Sequence, residues 1–281
     1  MFKVLVLQSV YGLSDAQAEF QIRDRLSFMR FLKLGFNGSI PDEKTIWFFR
    51  ERVITAGAFQ KLFARFGRYL EQKGFAARTG SLMDASIVEV PKQRNTREEN
   101  TEIKEGRVPE AWKEDPAKLR QKDVEARWIQ KHGKTSYGYK NHINADAEHK
   151  LVRQFEVTPA SVHDIHCFKT LLDPKNPDKK VWADKAYRSE ENESFLKKKG
   201  YSSRIHHRAS RAGFLSETKE RLNRRYSKIR ARVEHVFGFL TNSMQAKWIR
   251  GVGLKRATFK IGMNNLVYNF CRYKQLRATC A

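Results

Sequence analysis

The sequence predicts an α/β fold: a mixed five-stranded sheet flanked by helices, with an N-terminal helical domain ahead of it. Three observations predict it. Positions 1–78 repeat apolar residues at helical spacing. Short apolar or alternating runs follow and read as strands. Their order is three strands in meander, then helix, strand, helix, strand, helix, which puts helices on the faces of a sheet of mixed direction. With 281 residues, 40% of them hydrophobic, the chain can build one large domain or two small ones.

In the first region Phe20, Arg23, Leu26, Met29, Phe31 and Leu32 mix apolar and charged residues at helical intervals. Ser39-Ile40-Pro41-Asp42-Glu43 is a helix-start signal, with proline near the first turn and acids at the positive end of the dipole. Trp47, Phe48, Val53, Phe59, Leu62, Phe63 and Phe66 supply the next apolar face. Positions 74–80 read as a turn, and 82–90 as a strand with Asp84 set inside it among apolar and small residues. Positions 92–134 hold 12 Lys/Arg and 9 Asp/Glu, too charged for a core of their own, and read as a long insertion that is partly helical around 112–130. Positions 137–144 and 151–158 form a hairpin that Pro159 ends. A short helix over 163–172, a strand at 181–184, a helix over 189–199 closed by Gly200, a fifth strand at 201–206 and a long helix over 216–244 complete the order. The expected division is a helical region at 1–78, a catalytic domain at 79–245 and a basic helical tail at 246–281.

Charge narrows the partner. Lys and Arg number 55 against 31 Asp and Glu, a net charge of +24. A polyanion is implied, with nucleic acid ahead of an anionic membrane surface. Residues 201–281 alone hold 18 Lys/Arg and 3 Asp/Glu, a balance of +15. Arg221, Arg224, Arg225, Lys228, Arg230 and Arg232 cluster on one predicted helix, an electrostatic footprint for phosphates. A solvated basic face is the ordinary alternative. No run approaches the ~20 apolar residues of a membrane span. The start, Met1 to Leu7, is apolar but is broken by Gln8 and Ser9 and lacks a cleavage site, so a signal peptide is not expected. Cys167, Cys271 and Cys280 have no CxxC spacing, which argues against a disulfide framework and for a reducing, cytoplasmic interior.

Three acids carry candidate chemistry. Asp84 sits inside an apolar strand, where a bare carboxylate is costly and needs a partner or a metal. A structural salt bridge would also explain it. Asp184 ends a second apolar strand, where a turn or N-cap aspartate is common. Glu234 shares a helical stripe with Ser227 and Arg230, and an intrahelical pair with Arg230 is its ordinary reading. Together, converging carboxylates can hold divalent cations for phosphodiester cleavage, and Mg²⁺ prefers such oxygens. His163-Asp164-Ile165-His166-Cys167 and His206-His207 could be read as zinc ligands, but no second spaced Cys/His pair accompanies them. His163-Asp164 reads better as a helix cap. Trp112, Trp128 or Trp248 could stack on an unpaired base.

Five pieces recur in a recognisable order: 80–86 around Asp84; Tyr137-Gly138-Tyr139-Lys140; 157–164; Ala183-Asp184-Lys185-Ala186-Tyr187; and Arg230-Ala231-Arg232-Val233-Glu234-His235. In this the chain resembles bacterial insertion-sequence DDE transposases of the insertion-sequence-five group, from about Tyr11 to Tyr273. The resemblance implies a ribonuclease-H-like core and a catalytic, metal-binding triad of Asp84, Asp184 and Glu234, assisted by Arg230. It implies Mg²⁺, with Mn²⁺ as a substitute. The separations of 100 and 50 positions suit a core without a large domain before the last acid. The family signature continues to a Lys or Arg where this chain has Thr241, and Lys247 or Arg250 could take that part.

The resemblance also implies further residues ahead of Met1, so the 1–78 region, read as DNA-recognising, is expected to be incomplete. The implied activity is cleavage at insertion-sequence ends and strand transfer into target DNA. The partners would be double-stranded terminal repeats and target DNA, with a homodimer on paired ends, association with the bacterial nucleoid and no membrane. Two alternatives remain open at this point: an impaired, truncated transposase that only binds DNA, and a non-transposing nuclease on the same fold.

Overall fold

The computed structural model describes residues 1–75, 78–131, 133–209 and 213–279. Five helices come first: α1 (Phe2–Tyr11), α2 (Asp15–Asp24), α3 (Leu26–Leu32), α4 (Glu43–Thr55) and α5 (Ala58–Gln72). Their starts are written locally. Ser14 and Gln17 form a reciprocal capping box on α2. Asp42 caps α4 by accepting from the Thr45 amide at 2.7 Å, as the helix-start signal predicts.

The sheet begins with β1 (Ser81–Glu89). The charged insertion then folds into α6 (Arg97–Lys104), α7 (Glu110–Lys113) and α8 (Pro116–Gln121). It continues as β2 (Arg127–Lys131), so the helix expected to run toward 130 gives way to a sixth strand. Next come β3 (Lys134–Asp146) and β4 (Val152–Pro159), then β5 (Lys180–Ala183), α9 (Glu190–Lys198) and β6 (Ser202–Ile205). The helix expected over 163–172 is only a short 3-10 turn, Asp164–Cys167, capped by the His163 side chain. The long helix expected over 216–244 is broken. It runs as α10 (Glu217–Arg230), a bend at Ala231, α11 (Arg232–Gly238) and a π-helical turn Phe239–Ser243. The chain closes with α12 (Leu254–Thr279).

Strands lie in the order β2-β3-β1-β5-β6, and β4 also pairs directly with β3, along Tyr139–Ala145 where β2 pairs with Lys134–Gly138. β1 and β3 are antiparallel, while β1, β5 and β6 are parallel. This is a ribonuclease-H-like arrangement. Leu82 faces a core shared with Val4, Ile22, Ile46, Phe59, Val233 and Met263, so the N-terminal helices and the sheet bury one apolar mass. Met83 faces the opposite layer, with Phe168, Leu171, Tyr187 and Leu196. Each such fully buried side chain contributes about 1.5–3 kcal/mol.

The basic helical tail expected over 246–281 forms α12, and the middle of that helix is buried. Asn265 exchanges hydrogen bonds with Asn141 of β3 at 2.9 and 3.0 Å, and Asn269 bonds both the amide and the carbonyl of Val152 at 2.8 Å. Gly262 lets the helix come this close, since a Cβ there would lie 2.4 Å from the Phe59 ring.

The Tyr137-Gly138-Tyr139-Lys140 piece turns out to be structural glue. Tyr139 donates to both carboxylate oxygens of Asp123 at 2.8 Å, and Tyr137 donates to the Asp123 carbonyl at 3.1 Å. A Cβ at Gly138 would lie 2.2 Å from the Val88 carbonyl oxygen. The nearly buried Lys140 ammonium donates to the Val162 carbonyl at 2.7 Å and to Asp164 at 2.8 Å. Trp112 is fully buried, donating to Glu99 at 2.6 Å with Lys122 over its ring, so it is not free to stack on a base. Trp128 and Trp248 are exposed, each beneath a cation, Lys92 and Arg250 respectively. Cys167 and Cys271 are free thiols, and Cys280 lies outside the described residues.

Candidate active site

Strand register assembles the site. The last paired residues across the three parallel strands are Met83, Ala183 and Ile205. The next residue on each strand is therefore Asp84, Asp184 and His206, side by side where the carboxyl ends of β5 and β6 meet β1. The His206 amide continues the ladder by donating to the Ala183 carbonyl at 3.1 Å. Ligands of open α/β sheets bind outside such strand ends.

Asp84 is the most constrained of the three. Its Oδ1 accepts from the Ala85 amide at 2.9 Å, and its Oδ2 accepts from Arg230 Nη1 at 2.8 Å. The carboxylate is only 21% exposed. Burial pushes its pKa above the usual carboxylate range; Arg230 and the Ala85 amide pull it back, and the neighbouring Asp184 pushes it further up. Asp184 caps the 3-10 turn Lys185–Tyr187, its Oδ1 accepting from the Lys185 amide at 2.7 Å. It thus combines the capping role open to a strand-end aspartate with a position beside Asp84.

α10 lies over this row. Ser227 and Arg230 stand on one face of the helix, three residues apart. Arg230 reaches Asp84, and the Ser227 hydroxyl lies 3.3 Å from His206 Nε2. Arg230 Nε is buried without a hydrogen-bond partner among the described residues, so the guanidinium is incompletely satisfied where it sits.

Glu234 follows on α11, which packs on β1, and its side chain is exposed and makes no hydrogen bond or ion pair with a described residue. The intrahelical Arg230–Glu234 pair is absent because Arg230 is taken by Asp84. Among the described residues no three His, Cys, Asp or Glu side chains close into a metal-holding group. Two of the three expected ligands nevertheless suit a hard divalent cation. Asp84 and Asp184 are neighbouring carboxylates, and burial makes the negative charge on Asp84 costly without a cation beside it.

The cations read from the sequence are mostly on the surface. Arg221, Arg224, Arg225, Lys228, Arg232, Lys247 and Arg250 are exposed, whereas Arg230 is drawn inward. Arg224 lies 3.8 Å from Glu220, and Arg232 donates to the Ala147 carbonyl at 2.9 Å. Thr241 and Lys247 line the same small cavity beside Ser86, and the Lys247 carbonyl accepts from the Glu89 amide. An open cavity of about 330 Å³ borders Asp184, lined by Lys185, Ala186, Arg208 and Ala209. From the sequence, His206 invited only a zinc reading beside His207. Its position one residue beyond a strand parallel to β5 is the signal that places it next to Asp184. Among the described residues no helix is long and apolar enough to cross a membrane.

Comparison with known families agrees with this geometry. The family described as Transposase DDE domain matches residues 76–270, and a second, described as Transposase domain (DUF772), matches residues 1–52. No solved structure matches the chain. The first match spans β1 to most of α12 and so includes the whole acid row. The chain belongs to the DDE transposases, DNA-acting enzymes of insertion sequences, and its resemblance to the insertion-sequence-five group is compatible with both matches.

Proposed function

We propose that this transposase cleaves phosphodiester bonds at the ends of its own element and joins the freed 3′-hydroxyl to target DNA, at one site and with a divalent metal. The observation that carries the reading is the placement of Asp84, on β1 just past its pairing with β5, beside Asp184 at the carboxyl end of β5, beneath a cationic helix. Mg²⁺, or Mn²⁺ in its place, would be held by Asp84 and Asp184, with Glu234 completing the ligand set. A cation there supplies Lewis-acid activation of a water or hydroxyl and stabilisation of the leaving oxygen.

The chain's own residues do the rest. Asp84 and Asp184 bind, and the strand ends hold them at fixed spacing. Arg230 neutralises Asp84 before DNA arrives, and its partly unpaired guanidinium is the group placed to meet a scissile phosphate. Arg221, Arg224, Arg225, Lys228 and Arg232, with Lys247 and Arg250 beyond the π-helical turn, bind flanking phosphates. Residues 1–78 recognise the terminal repeat, residues 79–245 carry the chemistry, and two copies act on paired ends.

A second reading, DNA binding without chemistry, draws on one observation: Glu234 is exposed, and among the described residues no three acids close into a metal-holding group. A labelled duplex carrying the element's terminal repeat separates the two. With Mg²⁺ the protein should nick at the repeat end, leave a 3′-hydroxyl and form joined products with a target duplex. Asp84→Ala should bind the duplex and cut nothing. Tight binding with no nick in Mg²⁺ or Mn²⁺ would sink the catalytic reading and favour the second.

A further inference from the structure

The acid row has a third member that the metal reading does not use. His206 follows β6 as Asp184 follows β5, and its side chain is only 13% exposed. Its Nδ1 faces Asp184 Oδ1 at 3.8 Å, and its Nε2 faces the Ser227 hydroxyl at 3.3 Å. Only one neutral tautomer serves both neighbours: a proton on Nδ1 points at the carboxylate, and Nε2 accepts from the serine. A carboxylate offers acceptors only, so the reverse tautomer would set a lone pair against Asp184.

The same face of α10 thus makes two contacts with the row, Arg230 on Asp84 and Ser227 on His206, and Asp184 stands between them. Asp184 is otherwise loosely held. Its carboxylate's one hydrogen bond to a described residue is from the amide that begins its own turn, and its side chain is 42% exposed. An exposed carboxylate of this kind is free to rotate unless something on its other side fixes it.

We propose that His206 is the positioning residue for Asp184, and that Ser227 selects the tautomer and ring orientation that let it act. The inference rests on Asp184 being a metal-binding carboxylate. His206 faces Asp184 at 3.8 Å and acts through it, without itself holding the metal or the DNA. Partners of ligating carboxylates typically change metal affinity by about 10–100-fold. Ser227 thereby acquires a job: it steers a histidine from another element.

The test measures Mn²⁺ binding to the full chain without DNA, by electron paramagnetic resonance, with thermal unfolding of each variant as a fold control. His206→Ala should weaken Mn²⁺ binding about 10–100-fold. His206→Asn keeps a donor near the Nδ1 position and should recover most of it. Ser227→Ala should fall between, and Ser227→Thr, which keeps the hydroxyl, should resemble the parent. Asp184→Ala is the reference for loss of the site. If Asp184→Ala abolishes binding while His206→Ala, folded, binds as the parent does, the positioning role is overturned and the metal reading stands. If Asp184→Ala itself binds Mn²⁺ like the parent, the metal reading has failed first. Equal losses in His206→Ala and His206→Asn would also overturn the proposal, since they would make the ring a ligand or a packing element and not a donor to Asp184.

Discussion

Asp123, which is buried, and Asp84, which is half-buried, are two carboxylates provisioned in opposite ways. Asp123 is 2% exposed, and its carboxylate accepts from the Tyr139 hydroxyl, the Glu125 and Ala126 amides and the Gly253 amide. Every donor belongs to a neutral group, and they come from the insertion, from β3 and from the approach to α12. Asp84 accepts from one amide and one guanidinium and has a second carboxylate beside it. A buried acid whose lone pairs are filled by fixed neutral donors is part of the fold. A buried acid left short, with its pKa pushed up, is stored electrostatic potential for a ligand. Where donors fill the shell there is no room for chemistry; where they do not, the fold bears a cost that a bound cation would relieve.

The comparison is broken most severely at Asp123. Asp123→Ala strips partners from a tyrosine hydroxyl and several amides at once, and should cost about 3 kcal/mol or more of unfolding free energy by urea titration. Asp84→Asn should move the same titration by no more than about 1 kcal/mol, because the pair with Arg230 is part-exposed and the repulsion from Asp184 is relieved. Similar losses in the two variants would erase the distinction.

Acid sharpens it further. His142 lies on β3 with no exposed surface, its Nε2 2.9 Å from Thr158 Oγ1 and its Nδ1 without a hydrogen-bond partner. Burial lowers its pKa to about 4, against a smaller upward pull from Asp164. The unfolded chain binds this proton near pH 6.5 and the folded one near 4, so the unfolded state holds more protons in between. The stability contributed by neutral His142 is complete above pH 6.5 and is lost as pH falls toward 4, by a few kcal/mol at most. Removing the imidazole in His142→Gln should flatten that part of the stability profile. An unchanged slope would assign it to other groups.

The smallest effect is on the surface. Replacing Arg221, Arg224 and Arg225 together with alanine should leave folding intact and make the salt dependence of DNA binding shallower, by up to about 2.7 in log–log slope if each meets a phosphate. An unchanged slope would mark that face of α10 as a solvated face and not a DNA contact.

Much of the fold was legible because the strand-forming runs carry their own pattern. Asp84, inside the apolar run of 82–90, and the acid closing 181–184 could be singled out from local context alone. β2 could not, since Arg127-Trp128-Ile129-Gln130-Lys131 has little alternation and becomes a strand only through pairing with β3. The break at Ala231 carries no proline or glycine, and so it is visible only once α11 docks on β1. Arg230 was expected to serve Glu234, four positions away, but its partner lies 146 positions away. Long-range pairs of this kind, and the His206–Ser227 contact across 21 positions, are set by how α10 docks over the strands and leave no local trace.

The most direct test of the central claim is single-turnover nicking of a repeat-bearing duplex by Asp84→Asn in Mg²⁺, with DNA affinity and urea stability measured on the same preparation. The account predicts a cleavage loss on the order of 10³-fold or more, with binding and stability close to the parent. Cleavage within about tenfold of the parent would contradict it, and would move the chemistry away from Asp84 on β1 and the carboxyl end of β5.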